Sequence, residues 1–536
     1  MRAEHADASR FGALPRRRTA ALLVCAAATL APAAVLFGTG IAGIDFGNHW
    51  DEFLYPQDAA RSVEARTLLP FHYLYPSFIY WLTYAAAAPD AARALASGKT
   101  SSRELVEAVR PQLDSERFKL RLRTICLAVS SLAVVWVVLA VIAWRRNWVE
   151  GLLAGCFLAF SWEVAYHVRW IAVDGLVMQF SALVLLLCVL AETRSKRRAF
   201  WLRLAAVAAG LAAGTKYPAA LLLAPVLATR WRGGRSGDHG EPFWRGAARL
   251  CLLGFAAYLV VTPGTILQPT YFLGDFLAQF RTYRSGHVGH TIGPGLPHLW
   301  RMLEYLATVA LSHYRVVAAV SAVFMAAGGI AYAAERARPT AVLVTPLVFV
   351  VFLASFHVMI VRNTLLLFPC LTVLAARGAV EILRRLPGAW LRVATSAGIA
   401  AMLLVNAWWL VAAASTIRDR GSDRSIVELA AYLAAHPSTE FFLSERVRGE
   451  LARRLGSLPA NVVGEPDRGD RLVFYHFEDT PIRTYLMWPA NLDSQFTTWF
   501  GPHEVNLDYY PNWRGDDHIV VMTRASAARA GITELR

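Results

Sequence analysis

Long apolar runs alternate with short arginine-rich turns over the first 416 residues of the chain. A helix needs about 20 apolar residues to cross the hydrocarbon core of a bilayer. By that measure the runs at 19–42, 122–143, 150–167, 170–191, 249–267, 304–333, 340–361, 364–383 and 393–416 predict spanning helices. The stretch 203–229, "RLAAVAAGLAAGTKYPAALLLAPVLAT", is too long for one comfortable span and short for two. It is broken at Gly214, Lys216 and Pro218. Arg194, Lys196, Arg197, Arg198 and Arg203 precede it, and Arg230, Arg232, Arg235, Arg245 and Arg249 follow. Positive charge marks cytoplasmic flanks. The stretch is therefore read as a hairpin of two short helices with Lys216 near its outer turn.

That reading gives an α-helical polytopic membrane protein of about eleven spans. The amino terminus, residues 1–18 with Arg16, Arg17 and Arg18, is cytoplasmic and the carboxyl terminus is outside. The other inside turns are also basic, at Arg145 and Arg146, Arg336 and Arg338, and Arg384, Arg385 and Arg392. Three extracytoplasmic pieces follow, at 43–121, 268–300 and 417–536, around a membrane domain of residues 19–416. The last piece turns polar and mixed. "SIVELAAYLAAH" and "ERVRGELARRLG" have helical period, while "TEFFLS", "ANVVG", "RLVFYHF" and "HIVVMT" read as short strands. This predicts a small α/β domain without GxGxxG, P-loop or nucleophile motif.

Composition agrees. The 536 residues are 56% apolar and 17% charged, against about 25% charged in soluble proteins, and mean hydropathy is +0.38. The net charge of +15 is mostly arginine in the turns. No basic stripe carries interleaved aromatics, which sets nucleic acid aside. The run from Thr19 to Ala42 is too long for a signal-peptide core and lacks a convincing cleavage site. All six cysteines lie inside apolar runs and none forms CxxC, so neither a disulfide frame nor a zinc site is expected.

Candidate chemistry starts in the first outer loop, "HWDEFLYPQDAARSVEARTLLPFHYLYPSFIYWLTY". On a helix, Asp51, Tyr55, Asp58 and Ser62 share one side, with Phe53, Ala60, Val63 and Thr67 roughly opposite. That suits an interfacial helix with its apolar face down. The segment 72–84 is rich in rings that favour the headgroup level. A carboxylate held near lipid is expensive and usually has a task. Asp51 and Glu52 diverge by about 100° on a helix, so they are expected to have different jobs. The plainer alternatives are a helix cap for Asp51 and a structural charge for Glu52.

"WDEFLYPQDAARSV", "YPSFIYWL", "RWIAVDGLVMQF", "GLAAGTKYPAALLL" and "VRNTLLLFPCLTVLAARG" occur in this order over most of residues 19–416. Together they resemble the GT-C fold glycosyltransferases, in particular the protein O-mannosyltransferases and the lipid A aminoarabinose transferases. Relatives often carry His-Lys-Pro-Pro in the first loop; here the residues are His72-Tyr73-Leu74-Tyr75-Pro76, without a lysine. The resemblance implies transfer of a sugar from a polyprenyl-phosphate donor at the outer face of the inner (cytoplasmic) membrane, within the cell envelope. It makes Asp51 the catalytic base, with inversion at the anomeric carbon and Glu52 beside it. A leaving lipid phosphate needs positive charge more than an acid. Arg169, Lys216 and Arg362 all fall at the outer face in this topology, and each has the alternative of snorkelling to the interface.

Asp174 is expected to orient Arg169 or meet the acceptor, with Tyr55, Asp58 and His72 in similar roles. "RTYRSGHVGHTIGPG" is read as a mobile loop over the site, carrying His287 and His290 and four glycines. The two histidines lack a nearby third ligand, so no metal site is assigned and a divalent cation stays open. The acceptor is a glycan, lipid or protein hydroxyl. The rival classes are a secondary transporter, which also uses broken helices and intramembrane charge, a polymerase or ligase of lipid-linked glycans, and a scaffold. Against transport, the flagged charges lie at one face and the spans show no internal repeat.

Overall fold

The computed structural model describes residues 14–45, 49, 51–234, 242–287, 290–335, 338–418, 424–465, 467–475, 494–496, 519–529 and 532. The chain is a helical membrane protein with a small sheet near its carboxyl end. Helix α1 (Leu14–Ile41) leads into an outer segment of three helices, α2 (Leu54–Glu64), α3 (Phe78–Ala96) and α4 (Ser102–Leu113). Then come α5 (Glu116–Arg145), α6 (Trp148–Ala159), the one-turn α7 (Trp162–His167), α8 (Val173–Thr193), α9 (Arg198–Ala213), α10 (Leu223–Gly234) and α11 (Phe243–Val261). After a short turn α12 (Gly264–Leu267), α13 (Pro269–Ser285) and α14 (Leu296–Thr308) precede α15 (Arg315–Ala334), α16 (Ala341–Ala354), α17 (Phe368–Arg385) and α18 (Ala389–Arg418).

Among the described residues six segments are long and apolar enough to cross a membrane, at 116–145, 173–193, 243–261, 315–334, 361–385 and 389–415. Shorter apolar helices lie at Cys25–Ile41, Trp148–Ala159 and Ala341–Ala354. The expected run 304–333 is divided, because α14 ends at Thr308 and α15 starts at Arg315.

The helices pack through small residues, which let backbones approach closely where lipid supplies no hydrophobic drive between them. A Cβ on Gly328 of α15 would stand 1.8 Å from the Leu374 carbonyl oxygen, and one on Gly378 of α17 1.9 Å from that of Phe324. α8 lies at the centre, nearly all of it buried.

In the outer segment α2 starts at Leu54, three residues after Asp51, and its N-cap Phe53 provides no side-chain cap. Its buried face is the Tyr55, Asp58, Ser62 side, packed within the protein, while Phe53 is exposed. The polar side is thus covered by α3 and α4, and Ala60 and Val63 of the other side also pack into the outer segment's core. Asp58 is tied down by the Phe71 N–H, and the Ser62 hydroxyl donates to the Leu69 carbonyl.

Beyond α18, helices α19 (Arg424–Ala435) and α20 (Glu445–Leu455) accompany strands β1 (Phe441–Leu443), β2 (Val462–Val463), β3 (Arg471–Tyr475), β4 (Ser494–Phe496) and β5 (Ile519–Thr523). The order is β2-β1-β3-β5-β4, with β1 parallel to β2 and β3, and β5 antiparallel to β3 and β4. Alternation along β3 sends Val473 and Tyr475 to the core with Leu429, Leu433, Val447 and Leu451, and sends Leu472 and Phe474 to the opposite face. β4 was not among the expected strands. The ends of the "RLVFYHF" and "HIVVMT" expectations, and the amino terminus before residue 14, lie outside the described residues.

Candidate active site

Two interrupted helices set up the site. After α9 the chain cannot continue as an α-helix, because Pro218 lacks an N–H for the ladder. Lys216 is extended (φ −150°, ψ 125°), and residues 217–222 form a 3₁₀ turn before α10. The Gly214 carbonyl accepts instead from the Phe78 N–H at 2.8 Å, which anchors α3 at the break. A second 3₁₀ segment, 361–367, precedes α17. Runs of 3₁₀ beyond three or four residues are uncommon and often mark functional sites. One break presents Lys216 and the other presents Arg362 and Asn363.

These charges meet. Lys216 Nζ lies 2.6 Å from Asp174 Oδ1 and donates to Asn363 Oδ1 at 2.6 Å. Arg362 has three partners: Nη1 donates to His49 Nε2 at 2.9 Å, Nη2 lies 3.2 Å from Asp51 Oδ2, and Nε lies 3.5 Å from Asp174 Oδ2. The Tyr75 hydroxyl donates to Asp51 Oδ2 at 3.2 Å, and Asn363 Nδ2 donates to the Tyr283 hydroxyl at 3.2 Å. Two carboxylates and two cations therefore alternate within one cluster. Side chains of Asp51, Arg362 and Lys216 remain 18%, 15% and 10% exposed against 2% for Asp174, so Asp174 is the enclosed member and the other three are reachable. Asp51 does not cap α2; its carboxylate faces Arg362 and Tyr75.

Glu52 faces elsewhere. Arg123 grips it with Nε at 2.8 Å and Nη2 at 2.5 Å, and the N–H groups of Ile171 and His49 donate to it at 2.9 and 3.1 Å. Burial alone would raise this carboxyl, but the Arg123 guanidinium, with the Ile171 N–H, holds it below its ordinary range. Arg169 is buried, donates to the Gly43 carbonyl, and lies over the Trp170 ring, whose face Arg123 also covers. Asp174 pairs with Lys216 and Arg362, not with Arg169 as the sequence suggested.

Tyr55 stacks edge-on against Tyr80 in the core of the outer segment. His72 Nδ1 lies 3.2 Å from Asp275 of α13, where the Tyr73 N–H also donates. The expected mobile loop is held on its described side: Thr291 bridges to Val358, the Met359 N–H donates to the His290 carbonyl, and the Ile292 N–H to that of His357. Residues 288 and 289 lie outside the described residues. The His287 and His290 rings are 5.6 Å apart. Among the described residues no group of three His, Cys, Asp or Glu is placed to hold a metal ion.

Sequence reasoning did not single out His49, Tyr75, Arg123, Tyr283 or Asn363. Arg123 closes the basic series Arg117, Lys119, Arg121 and Arg123 at the start of an apolar run, so it resembles an ordinary flanking charge; the others lie among ordinary loop and run-end residues. From Lys216 and Asn363 an apolar cleft of about 340 Å³ extends, walled by Tyr75, Tyr217, Phe276, Phe280, Tyr283 and Phe356.

A family model, dolichyl-phosphate-mannose-protein mannosyltransferase, matches residues 98–231, about a quarter of the chain. The match falls on the family that the sequence motifs resemble, and it includes Arg123, Arg169, Asp174 and Lys216. No curated protein matches the chain in sequence. Among solved structures, ArnT from Cupriavidus metallidurans bound to undecaprenyl phosphate is similar at 15% identity, over 95% of this chain and 99% of that one, with a TM-score of 0.46. The Pmt1-Pmt2 protein O-mannosyltransferase complex of S. cerevisiae is similar at 15% identity over 51% of this chain and 35% of that one, with a TM-score of 0.33. The oligosaccharyltransferase of Archaeoglobus fulgidus is similar at 11% identity over 82% and 65%, with a TM-score of 0.43.

Proposed function

We propose that this protein transfers a monosaccharide from a polyprenyl-phosphate donor to a hydroxyl acceptor at the extracytoplasmic face of the cytoplasmic membrane. The observation that carries the reading is the meeting of Asp51, Asp174, Lys216 and Arg362, from four distant segments, at the head of an apolar cleft. The cleft takes the polyprenyl tail. Lys216 and Arg362 hold the phosphate, one as a point charge and one as a planar fork. Asp174 keeps both cations in place. The matched family model supports the donor class.

In the reaction the acceptor hydroxyl gives its proton to the Asp51 carboxylate as its oxygen bonds to the anomeric carbon. The bond from that carbon to the phosphate oxygen breaks, and polyprenyl phosphate leaves with the electron pair. Attack opposite the leaving group inverts the centre. A positioned base of this kind contributes roughly 10²- to 10⁴-fold. Glu52 acts as a positioning residue, since Arg123, His49 and Ile171 already occupy its oxygens. Arg169 supports the same wall, with its guanidinium on the Gly43 carbonyl.

The test is to incubate membranes holding the wild type or Lys216→Met with a panel of radiolabelled polyprenyl-phosphate sugars. The wild type is expected to consume one donor and release polyprenyl phosphate, with Lys216→Met reducing donor use by about tenfold or more, the worth of a charge-assisted contact. Turnover of none of the panel, together with uptake of a small solute into vesicles, would favour transport instead.

A further inference from the structure

We propose that His49 is a positioning residue, whose neutral imidazole holds the Arg362 guanidinium in place between Asp51 and Asp174. This rests on the reading above that Arg362 meets the donor phosphate. His49 is buried and contacts two site residues: Arg362 Nη1 at 2.9 Å from Nε2, and the Asp51 N–H at 3.3 Å from Nδ1. A neutral imidazole offers one acceptor nitrogen. Both contacts come from obligate donors, a guanidinium and a backbone N–H, and the ring accepts only one; the shorter, charge-assisted contact from Arg362 assigns Nε2 as the acceptor and Nδ1 as the nitrogen that bears the proton. The longer contact to Asp51 is then the one that yields. Protonated, the ring would set a second positive charge against the guanidinium. Burial, followed by Arg362 itself, pushes the imidazole down to about 4, which keeps it neutral.

The ring is also held from behind. Trp170 lies 6.1 Å from it between centroids, and Trp170 is itself gripped by Arg123 and Arg169. Arg362 thus has one neutral acceptor and two anionic ones. When a phosphate competes for the guanidinium, the His49 contact is the one that leaves Arg362 in register without neutralising it. Without that acceptor the ion-pair partners of Arg362 among the described residues are Asp51 and Asp174, and the guanidinium is expected to turn towards the base.

The side chain that replaces histidine decides the matter. Glutamine carries its oxygen to roughly the position of Nε2, asparagine falls short of it, leucine fills space without accepting, and lysine mimics the protonated ring. Binding of undecaprenyl phosphate to purified protein in nanodiscs, and a double-mutant cycle on thermal unfolding between His49→Leu and Arg362→Gln, are measured together. His49→Gln should bind within about threefold of the wild type. His49→Leu and His49→Asn should bind about tenfold to a hundredfold more weakly, the worth of a hydrogen bond to a charged group, and His49→Lys weakest. The cycle should show coupling between the two sites.

Leucine binding as well as glutamine, or no coupling in the cycle, would overturn the proposal. Should the leucine variant not fold, the glutamine–asparagine pair carries the binding test, and equal binding by those two overturns it as well. Unchanged binding by Arg362→Gln alone would bring down the phosphate reading itself, a failure visible without any His49 variant.

Discussion

Asp51 and Glu52 are neighbours in sequence with opposite fates. Asp51 keeps 18% of its side chain exposed beside Arg362 and Tyr75, whereas Glu52 is locked onto Arg123, itself fully buried. Breaking a buried ion pair leaves one uncompensated charge and costs about 3–5 kcal/mol. Glu52→Ala should therefore lower the melting midpoint and the folded yield, and Glu52→Ala with Arg123→Leu should recover part of the loss; a double variant no better than the single would show that the pair is not the cause. His49 makes a pH prediction. Its folded value lies near 4 against 6.5 unperturbed. Between those values the unfolded chain binds more protons, so stability present above pH 6.5 is lost as pH falls towards 4. Arg362, Asp51, Glu52 and His167 face the ring. The wild-type melting midpoint should fall more steeply than that of His49→Gln over this window, and parallel curves would contradict the assignment. At this scale the sequence exposed the charged residues, since a charge at the end of an apolar run is conspicuous. It did not expose His49, whose meaning depends on an arginine 313 positions away.

The elements were more legible than the contacts. Helical runs are set by length and hydrophobic composition, so their helical character is readable, although the expected run 150–167 divides between Ala159 and Trp162 and the run 340–361 stops being helical at Ala354; the break at Gly214, Lys216 and Pro218 is readable too, because proline and glycine act locally. The 3₁₀ segment at 361–367 had no such punctuation before it and was read as the ordinary start of a span. The division between α14 and α15 falls on Ser312-His313-Tyr314-Arg315, a polar stretch too short to separate the flanking apolar runs by composition. The broken segment at Pro218 makes a direct prediction. Pro218→Ala restores an N–H donor and lets α9 continue, which moves Lys216 off Asp174 and Asn363. Donor binding should weaken by about tenfold or more while the fold persists, and unchanged binding would mean the break does not position the lysine. Gly378→Val tests the helix contact between α15 and α17. It puts carbon where the Phe324 carbonyl stands, and overpacking of a tight interface costs about 1–3 kcal/mol or more, read as a lowered melting midpoint.

Over the whole molecule, the outer segment, the two broken helices and α13 converge on one end of an apolar cleft. Tyr73 links them, with its hydroxyl on Gln268 and its carbonyl receiving the Tyr217 hydroxyl. The cleft predicts chain-length dependence. Ala220→Trp would narrow a wall of the cleft, raising KM for a long polyprenyl donor by at least about tenfold, given about 0.8 kcal/mol per buried methylene, while a two-isoprene donor is spared; equal effects on both would detach the cleft from the lipid tail. Arg362 pairs with Asp51, so a phosphate that draws the guanidinium away would leave the carboxylate free to accept a proton. The central claim is that Asp51 is that acceptor. The most direct measurement compares wild type and Asp51→Asn in one preparation, following both binding of the radiolabelled polyprenyl-phosphate sugar and its transfer. The variant should still bind the donor and transfer at a rate lower by about a hundredfold or more. Transfer at the wild-type rate by a folded Asp51→Asn protein would contradict it.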